Sequence, residues 1–312
     1  MPEIHDVLII GSGPAGNMAA IYALRNGLET LILTGPAIGG QLTTTAEVEN
    51  FPAFPQPISG ADLATRLIEQ SKNMGARILY DTVSSIDFSS NPLLCRTTEG
   101  KTHSSRNIVI ATGATPKTLG IPGEEKFRGF GVSSCAVCDG NFFRNQPVAI
   151  VGGGETAGIE ALHMAKLASR VYLLYRRDRL ARMADVTRRR LETNSKIEIL
   201  LSSEVTEICG TENPKSIEFI QILDNRTNQT GSLKVRAVFL AIGMEPRTGP
   251  FANSGLAIDA RGYIITEKDS ARTNIRNVYA VGDVTNKKYK QAVVAAAYGA
   301  IAALEIGEDS TP

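Results

Sequence analysis

A short apolar run over residues 7–10 stops at Gly11-Ser12-Gly13-Pro14-Ala15-Gly16 and passes into a helical stretch over 18–25. Strand, glycine turn and helix in that order open a nucleotide-binding fold. Gly11 permits the tight turn, Gly13 lets the backbone approach a pyrophosphate, and Gly16 allows close helix packing, with the helix N-terminus facing the phosphates. The succession returns about 140 residues later as an apolar run over 148–151, then Gly152-Gly153-Gly154-Glu155-Thr156-Ala157, a helix over 158–168 and a strand over 170–175. One GxGxxG is a weak pattern. Two in register with strand and helix predict an α/β chain with two Rossmann-like, three-layer domains and two dinucleotides.

The ends of the second strands distinguish the two ligands. An NAD site places Asp or Glu there for the ribose hydroxyls; the second repeat instead reads Tyr175-Arg176-Arg177-Asp178-Arg179, with Arg182 three residues on. Adjacent guanidinium groups favour a 2′-phosphate and therefore NADPH, the competing reading being a solvated basic face that continues into Arg188-Arg189-Arg190. The first repeat ends at Leu33-Thr34-Gly35 without an acid, so FAD rests on other segments. Ile108-Val109-Ile110-Ala111-Thr112-Gly113 and residues 273–283 are strand-to-turn segments suited to returning the chain to a nucleotide. In the second, Asp283 can accept hydrogen bonds from a ribityl chain, and Gly282 admits the ligand closely.

Chain order predicts that residues 1–115 and 247–312 build one domain and 116–246 a second one inserted in it. Thr115-Pro116 and Met244-Glu245-Pro246-Arg247 mark the crossings, and paired short linkers make a natural hinge. At 312 residues each domain can bury its own core. A net charge of +1 supplies no global field for nucleic acid or an anionic membrane, and no apolar run approaches the roughly 18 residues of a membrane span. With no basic leader before residue 7, a cytoplasmic location is expected.

In Cys135-Ala136-Val137-Cys138-Asp139-Gly140 the second cysteine, Cys138, stands fourteen residues before Gly152. A CxxC is half of a zinc site or a redox pair. No second CxxC or HxxxH completes a tetrahedron, and His5, His103 and His163 are scattered, so no metal site is read. In a reducing compartment the pair is expected to be catalytic. Cys95 and Cys209, in apolar strand-like surroundings, are expected to be buried core thiols.

Taken together these residues resemble the low-molecular-weight thioredoxin reductases over nearly the whole chain. The matches are Gly11 to Gly16, Gly39-Gly40-Gln41-Leu42-Thr43-Thr44-Thr45, Glu47-Val48-Glu49-Asn50-Phe51-Pro52, Ala111-Thr112-Gly113-Ala114, the CAVCDG hexapeptide, Arg176-Arg177-Asp178, Gly282-Asp283-Val284 and Tyr289-Lys290-Gln291-Ala292. The resemblance implies FAD in the outer domain, NADPH in the inserted one, a homodimer, and thioredoxin as electron acceptor. Carried over, the FAD site comprises Gly11, Ser12, Gly13, Pro14, Ala15, Gly16, Gly40, Gln41, Leu42, Thr45, Asn50 and Val83. It continues through Ala111, Thr112, Gly113, Gly282, Asp283, Lys290, Gln291 and Ala292. The NADPH site comprises Gly153, Gly154, Glu155, Thr156, Arg176, Arg177, Arg182, Ile242 and Gly243.

The resemblance also implies that Cys138 faces the flavin, that Cys135 attacks thioredoxin, and that Asp139 holds or releases the proton. The alternative role of Asp139 is to cap the following helix. This chain departs from the family in carrying Tyr175 for a usual His, Ala181 for a usual third Arg, and Asn141 before Phe142-Phe143. Those aromatics are expected to form either an apolar seat for thioredoxin or part of the core. A flavoenzyme of the same scaffold acting on a peroxiredoxin-reducing module or a small dithiol is the rival function; a non-catalytic nucleotide sensor has no use for the CxxC. Cysteines absent from 41–94 disfavour the glutathione reductase type.

Overall fold

The computed structural model describes residues 3–309 apart from 46 and 287; residues 1, 2 and 310–312 of the expected outer domain lie outside the described residues. The chain divides into two compact units, Met1–Thr115 with Glu245–Pro312, and Pro116–Met244.

In the first unit β1 (Ile4–Ile10) runs through the glycine turn into α1 (Pro14–Arg25) and back along β2 (Thr30–Leu33). A 3-10 turn at Gly40–Thr44 and α2 (Gly60–Asn73) precede β3 (Arg77–Leu79), giving the parallel order β3-β2-β1. β4 (Val83–Asp87), β5 (Leu93–Thr97) and β6 (Thr102–Ile110) extend the sheet beyond β1. β6 is parallel to β1 and antiparallel to β5, which is antiparallel to β4. α1 starts at Pro14 rather than at 18, because proline at the first helical position gives up no hydrogen bond and presets φ.

β7 (Ala114–Pro116) leads out of this unit. The second contains β8 (Val132–Ser133), α3 (Ala136–Asp139), β9 (Pro147–Val151), α4 (Glu155–Met164), β10 (Arg170–Tyr175), α5 (Asp185–Glu192) and β11 (Ile197–Leu201). The antiparallel β12 (Ser203–Glu212), β13 (Lys215–Asp224) and β14 (Gln229–Lys234) follow, and then β15 (Ala237–Leu240). Parallel strands run in the order β11-β10-β9-β15-β8. α4 spans Glu155–Met164 instead of the expected 158–168. It begins directly on Gly154, and at its end Lys166 and Leu167 donate to His163 and Met164 three residues back, tightening the chain out of α-helix.

β16 (Met244–Pro246) returns the chain, β17 (Val278–Ala280) pairs in parallel with β6, and α6 (Ala292–Asp309) closes it. Both central sheets are buried on two faces, which is why their strands read as continuous apolar runs. Ile9 and Val109 face Ala19, Ala23 and Ala302, while Leu8, Ile10 and Ile108 face Phe251, Leu256 and Ile264. Ile150 and Leu173 pack under α4, and Ala149 and Leu174 on the opposite side with Ile220 and Val238. Each such Leu or Ile contributes roughly 1.5–3 kcal/mol by leaving water. Small residues let α6 lie on α1: a Cβ on Gly299 would stand 2.1 Å from the Ala15 carbonyl oxygen. Cys95 is buried as expected, whereas Cys209 is half-buried on β12, where alternate side chains face water.

Candidate active site

Cys135 and Cys138 form a disulfide with Cα atoms 5.3 Å apart. Cys135 is the N-cap of α3, in extended backbone, and its Sγ accepts the Cys138 N–H at 3.2 Å. The same N–H would stabilise a thiolate at Cys135 once the disulfide opens. Val137, between the two, is 51% exposed, so one side of the redox turn faces water. The other is packed hard: Ala136 is fully buried, and a Cβ on Gly140 would stand 2.6 Å from Met164 Sδ on α4.

Burial raises the pKa of Asp139, while a hydrogen bond with the Ser133 hydroxyl pulls the other way. Ser133 Oγ also accepts the Cys135 N–H at 3.0 Å. Ser133 thus holds the nucleophile's backbone and acts against the rise in the acid's pKa, a role sequence reasoning missed because a serine two residues before a cysteine carries no pattern of its own. Asp139 makes no side-chain cap for the 3-10 turn that follows, which removes the alternative reading of it. The aromatic pair splits. Phe143 packs edge-on against Phe239, ring centroids 6.0 Å apart, whereas Phe142 is 41% exposed.

In the first unit several expected FAD residues converge on the glycine turn. Gly11 has φ +112°, and Gly13 is the N-cap of α1. Ser12 Oγ accepts the Gly39 N–H and donates to the Thr34 carbonyl, joining the turn to the segment entering Gly40, Gln41 and Leu42. Thr45 ends that 3-10 turn, and its carbonyl accepts the Gly60 N–H. The Ala111 N–H donates to the Ile10 carbonyl, and the Thr112 hydroxyl to that of Arg247. Gly113 accepts the Arg247 N–H. A Cβ on Gly282 would lie 3.0 Å from the Ala15 methyl, which sets Asp283 beside the start of α1. Asn50 Nδ2 donates to Gln291 Oε1 at 3.3 Å, and Lys290 Nζ donates to the carbonyls of Asp283 and Thr285 just ahead of Ala292, where α6 starts. Val83 places its side chain in the hydrophobic core, so its backbone is what it can offer a ligand.

This arrangement fits a dinucleotide. A Cβ on Gly13 would meet only the Gly39 carbonyl, at 3.9 Å, and one on Gly113 nothing within 4 Å, so both backbones border open space. The Asp283 carboxyl has its pKa raised by burial, opposed by Lys290, and can accept from ligand hydroxyls.

In the second unit Gly152 makes the turn with φ +152° and Gly154 caps α4, beside open space. Tyr175 lies over Gly153, where a Cβ would stand 2.4 Å from its ring. Arg182 forms a backbone bridge with Gly154, bringing this distant residue to the turn. Arg176 and Arg177 are exposed just beyond β10, and neither they nor Arg182 makes an ion pair among the described residues. Three uncompensated guanidinium groups suit a phosphate. The later triplet differs: Arg188 is engaged by Asp185 and Glu192. Glu155 spends its carboxylate on the Ala184 N–H and the Thr187 hydroxyl, which hold its pKa down. It fastens α5 to α4 and leaves its backbone N–H for a ligand. Thr156 is exposed on the first turn of α4; Ile242 packs into the core beside Gly243, which has φ +104°.

The family model of the pyridine nucleotide-disulphide oxidoreductases matches residues 5–299. A thioredoxin reductase of Rickettsia prowazekii is 44% identical over 302 residues, 97% of each chain. Among solved structures, thioredoxin reductase from Giardia duodenalis has a TM-score of 0.92 at 36% identity, covering 98% of each chain. That from Streptococcus pyogenes has a TM-score of 0.92 at 36% identity over the full length of both. This chain belongs to the pyridine nucleotide-disulphide oxidoreductase family, and within it to the thioredoxin reductases.

Proposed function

We propose that the chain is an NADPH-dependent thioredoxin-disulfide reductase working through the Cys135–Cys138 pair. The observation that carries this is the disulfide itself, half-exposed at the start of α3 with an acid beside it. FAD and NADPH are the cofactors, and when bound they supply the electron pair that opens the disulfide. FAD is held by the first unit at the Gly11–Gly16 turn and the Asp283 and Lys290-Gln291-Ala292 segments; NADPH is held by the second at Gly153-Gly154, with Arg176, Arg177 and Arg182 toward its 2′-phosphate.

The dithiol then acts in two exchanges. Cys135, as thiolate, attacks one sulfur of the thioredoxin disulfide, forming a mixed disulfide and expelling the other sulfur as a thiolate. Cys138 attacks Cys135 Sγ, restoring the disulfide and releasing the second thioredoxin sulfur. Two electrons pass to thioredoxin. Asp139 exchanges the protons that these thiolates gain or lose, its burial favouring the protonated carboxyl.

Cys138 is the sulfur turned to the flavin in this reading. Homodimerisation, a cytoplasmic location and the absence of a nucleic-acid partner complete it, supported by the family resemblance and by a net charge of +1. Among the described residues no helix is long and apolar enough to cross a membrane. A different disulfide partner is the second reading, favoured by Phe142 alone, rather than an aromatic pair, standing at the surface. Purified protein mixed with NADPH and oxidised thioredoxin tests the choice: NADPH consumption matched by two new thioredoxin thiols per turnover supports it, and none with thioredoxin but turnover with a peroxiredoxin-reducing module replaces it.

A further inference from the structure

Asn17 is fully buried on α1, a helix whose other buried positions are alanine, glycine and isoleucine. A primary amide withdrawn from water is costly unless its donors and its acceptor find partners. Here Nδ2 donates to the Ser12 carbonyl and, at 3.2 Å, to the Gly13 carbonyl, while Oδ1 accepts the hydroxyl of Ser71 on α2 at 2.7 Å. Two carbonyls face one end of the amide, so that end is the NH2. Ser71 is itself fully buried, and its proton has only the Ile68 carbonyl, at 3.0 Å, as a second acceptor.

These bonds hold the glycine turn from behind. The peptide between Ser12 and Gly13 is trans and planar, so its carbonyl and the Gly13 N–H point in opposite directions. A Ser12 carbonyl drawn inward onto Asn17 therefore turns the Gly13 N–H away from the core. No group among the described residues accepts that N–H, and the Gly13 backbone borders open space. The donor counts for more because Pro14 opens α1 without an N–H, which leaves the helix start one donor short for an anion. Ser12 is fixed from its side chain as well, its hydroxyl accepting the Gly39 N–H and donating to the Thr34 carbonyl. Held at both points, the peptide is kept from flipping an oxygen toward a phosphate.

Resting on the placement of FAD at the Gly11–Gly16 turn, we propose that Asn17 is a positioning residue of that site: it sets the Gly13 N–H toward the pyrophosphate and ties that setting to α2 through Ser71. Helix capping does not account for the amide. The Gly13 carbonyl already accepts the Asn17 backbone N–H at 3.0 Å, whereas no backbone N–H among the described residues donates to the Ser12 carbonyl. The side chain therefore matters at Ser12, outside the helix, on the peptide that carries the outward donor.

The experiment follows FAD release from diluted holoenzyme by the return of free-flavin fluorescence, and the phosphorus NMR resonances of the bound pyrophosphate at saturating FAD. Asn17→Ala removes the donor, so its dissociation constant for FAD is expected to rise at least about tenfold and the pyrophosphate resonances to shift. Asn17→Leu keeps the bulk and the branching without the donor, and the same two changes are expected. A role in packing alone predicts that Asn17→Leu retains FAD as the wild type does, or that FAD loosens while the resonances stay in place; either result overturns the proposal. Gly13→Ala examines the placement of FAD separately. Wild-type retention in Gly13→Ala removes the turn from the FAD site, whereas loss there with full retention in Asn17→Ala overturns the role of Asn17 alone. If neither Asn17 variant folds, Ser71→Ala, which unties the amide from α2, is expected to loosen FAD about threefold, and unchanged retention in it overturns the proposal.

Discussion

The Cα of Gly11 lies so close to Ala111 that a Cβ there would stand 2.3 Å from the Ala111 carbonyl oxygen. The second unit repeats the relationship, with Gly152 and the Ala241 carbonyl at 2.4 Å. In each case the neighbouring parallel strand, β6 beside β1 and β15 beside β9, delivers the carbonyl just past its end against the turn. The glycine is required twice over, by positive φ and by this approach. Because the strand ends at the turn, the loop after it, Thr112-Gly113 or Ile242-Gly243, is placed beside any nucleotide held there.

Gly11→Ala is therefore expected to cost folding, and Gly13→Ala binding. An alanine at 13 meets only an oxygen at 3.9 Å, so the apoprotein should keep its far-UV circular dichroism and thermal midpoint while FAD retention falls at least about tenfold. Gly11→Ala should lower the midpoint even without FAD. Equal FAD affinity in Gly13→Ala and wild type would remove the first glycine turn from the FAD site.

Serine variants separate the sulfurs. Cys135→Ser should abolish thioredoxin reduction, and Cys138→Ser should leave Cys135 able to trap thioredoxin as a mixed disulfide when the partner lacks its resolving thiol. The two products are distinguished by non-reducing electrophoresis. Trapping by Cys135→Ser instead would reverse the assigned roles.

Arg176, Arg177 and Arg182 should confer NADPH preference. Removal of a hydrogen bond to a charged group costs about 1.5–3 kcal/mol, so Arg176→Ala should raise KM for NADPH by at least about tenfold and leave NADH kinetics nearly unchanged. The Arg182→Ala effect measures whether the Gly154 bridge compensates for Ala181. Equal losses for both nucleotides would assign the arginines to the surface.

What the sequence made legible follows from locality. The glycine turns, the buried strands and the redox pair are each written in a few consecutive residues, where apolar runs and φ requirements leave a pattern. Glu155 holding Ala184 and Thr187, Tyr175 covering Gly153, and Asn50 reaching Gln291 across 241 residues are tertiary, and no period announces them. The aromatic pair shows the limit plainly: adjacent phenylalanines just after α3 face opposite environments because the 3-10 turn rotates one onto Phe239.

Ser133 supplies a direct test of Asp139. Its hydroxyl lowers an acid that burial raises, so Ser133→Ala should move the Asp139 pKa further up. The limb of the kcat-pH profile governed by that acid is expected to shift to higher pH, and Asp139→Asn should remove it. A limb that stays in place in Ser133→Ala and survives Asp139→Asn would assign the proton to another group.

Glu160 makes stability depend on pH in a defined window. The ordinary glutamate value is 4.5 and burial raises it to about 7 in the folded chain, so the folded state keeps a proton that the unfolded chain has already lost. Folding then takes up a proton between those values, and stability falls as pH rises through them, the loss being complete above about 7. Glu160→Gln has no such proton to lose. Thermal midpoints of the oxidised, FAD-loaded proteins should be similar near pH 4.5 and diverge in favour of Glu160→Gln toward pH 8, by several degrees. A constant difference across that range would mean that the carboxyl is ionised throughout, with an unseen partner for Oε2.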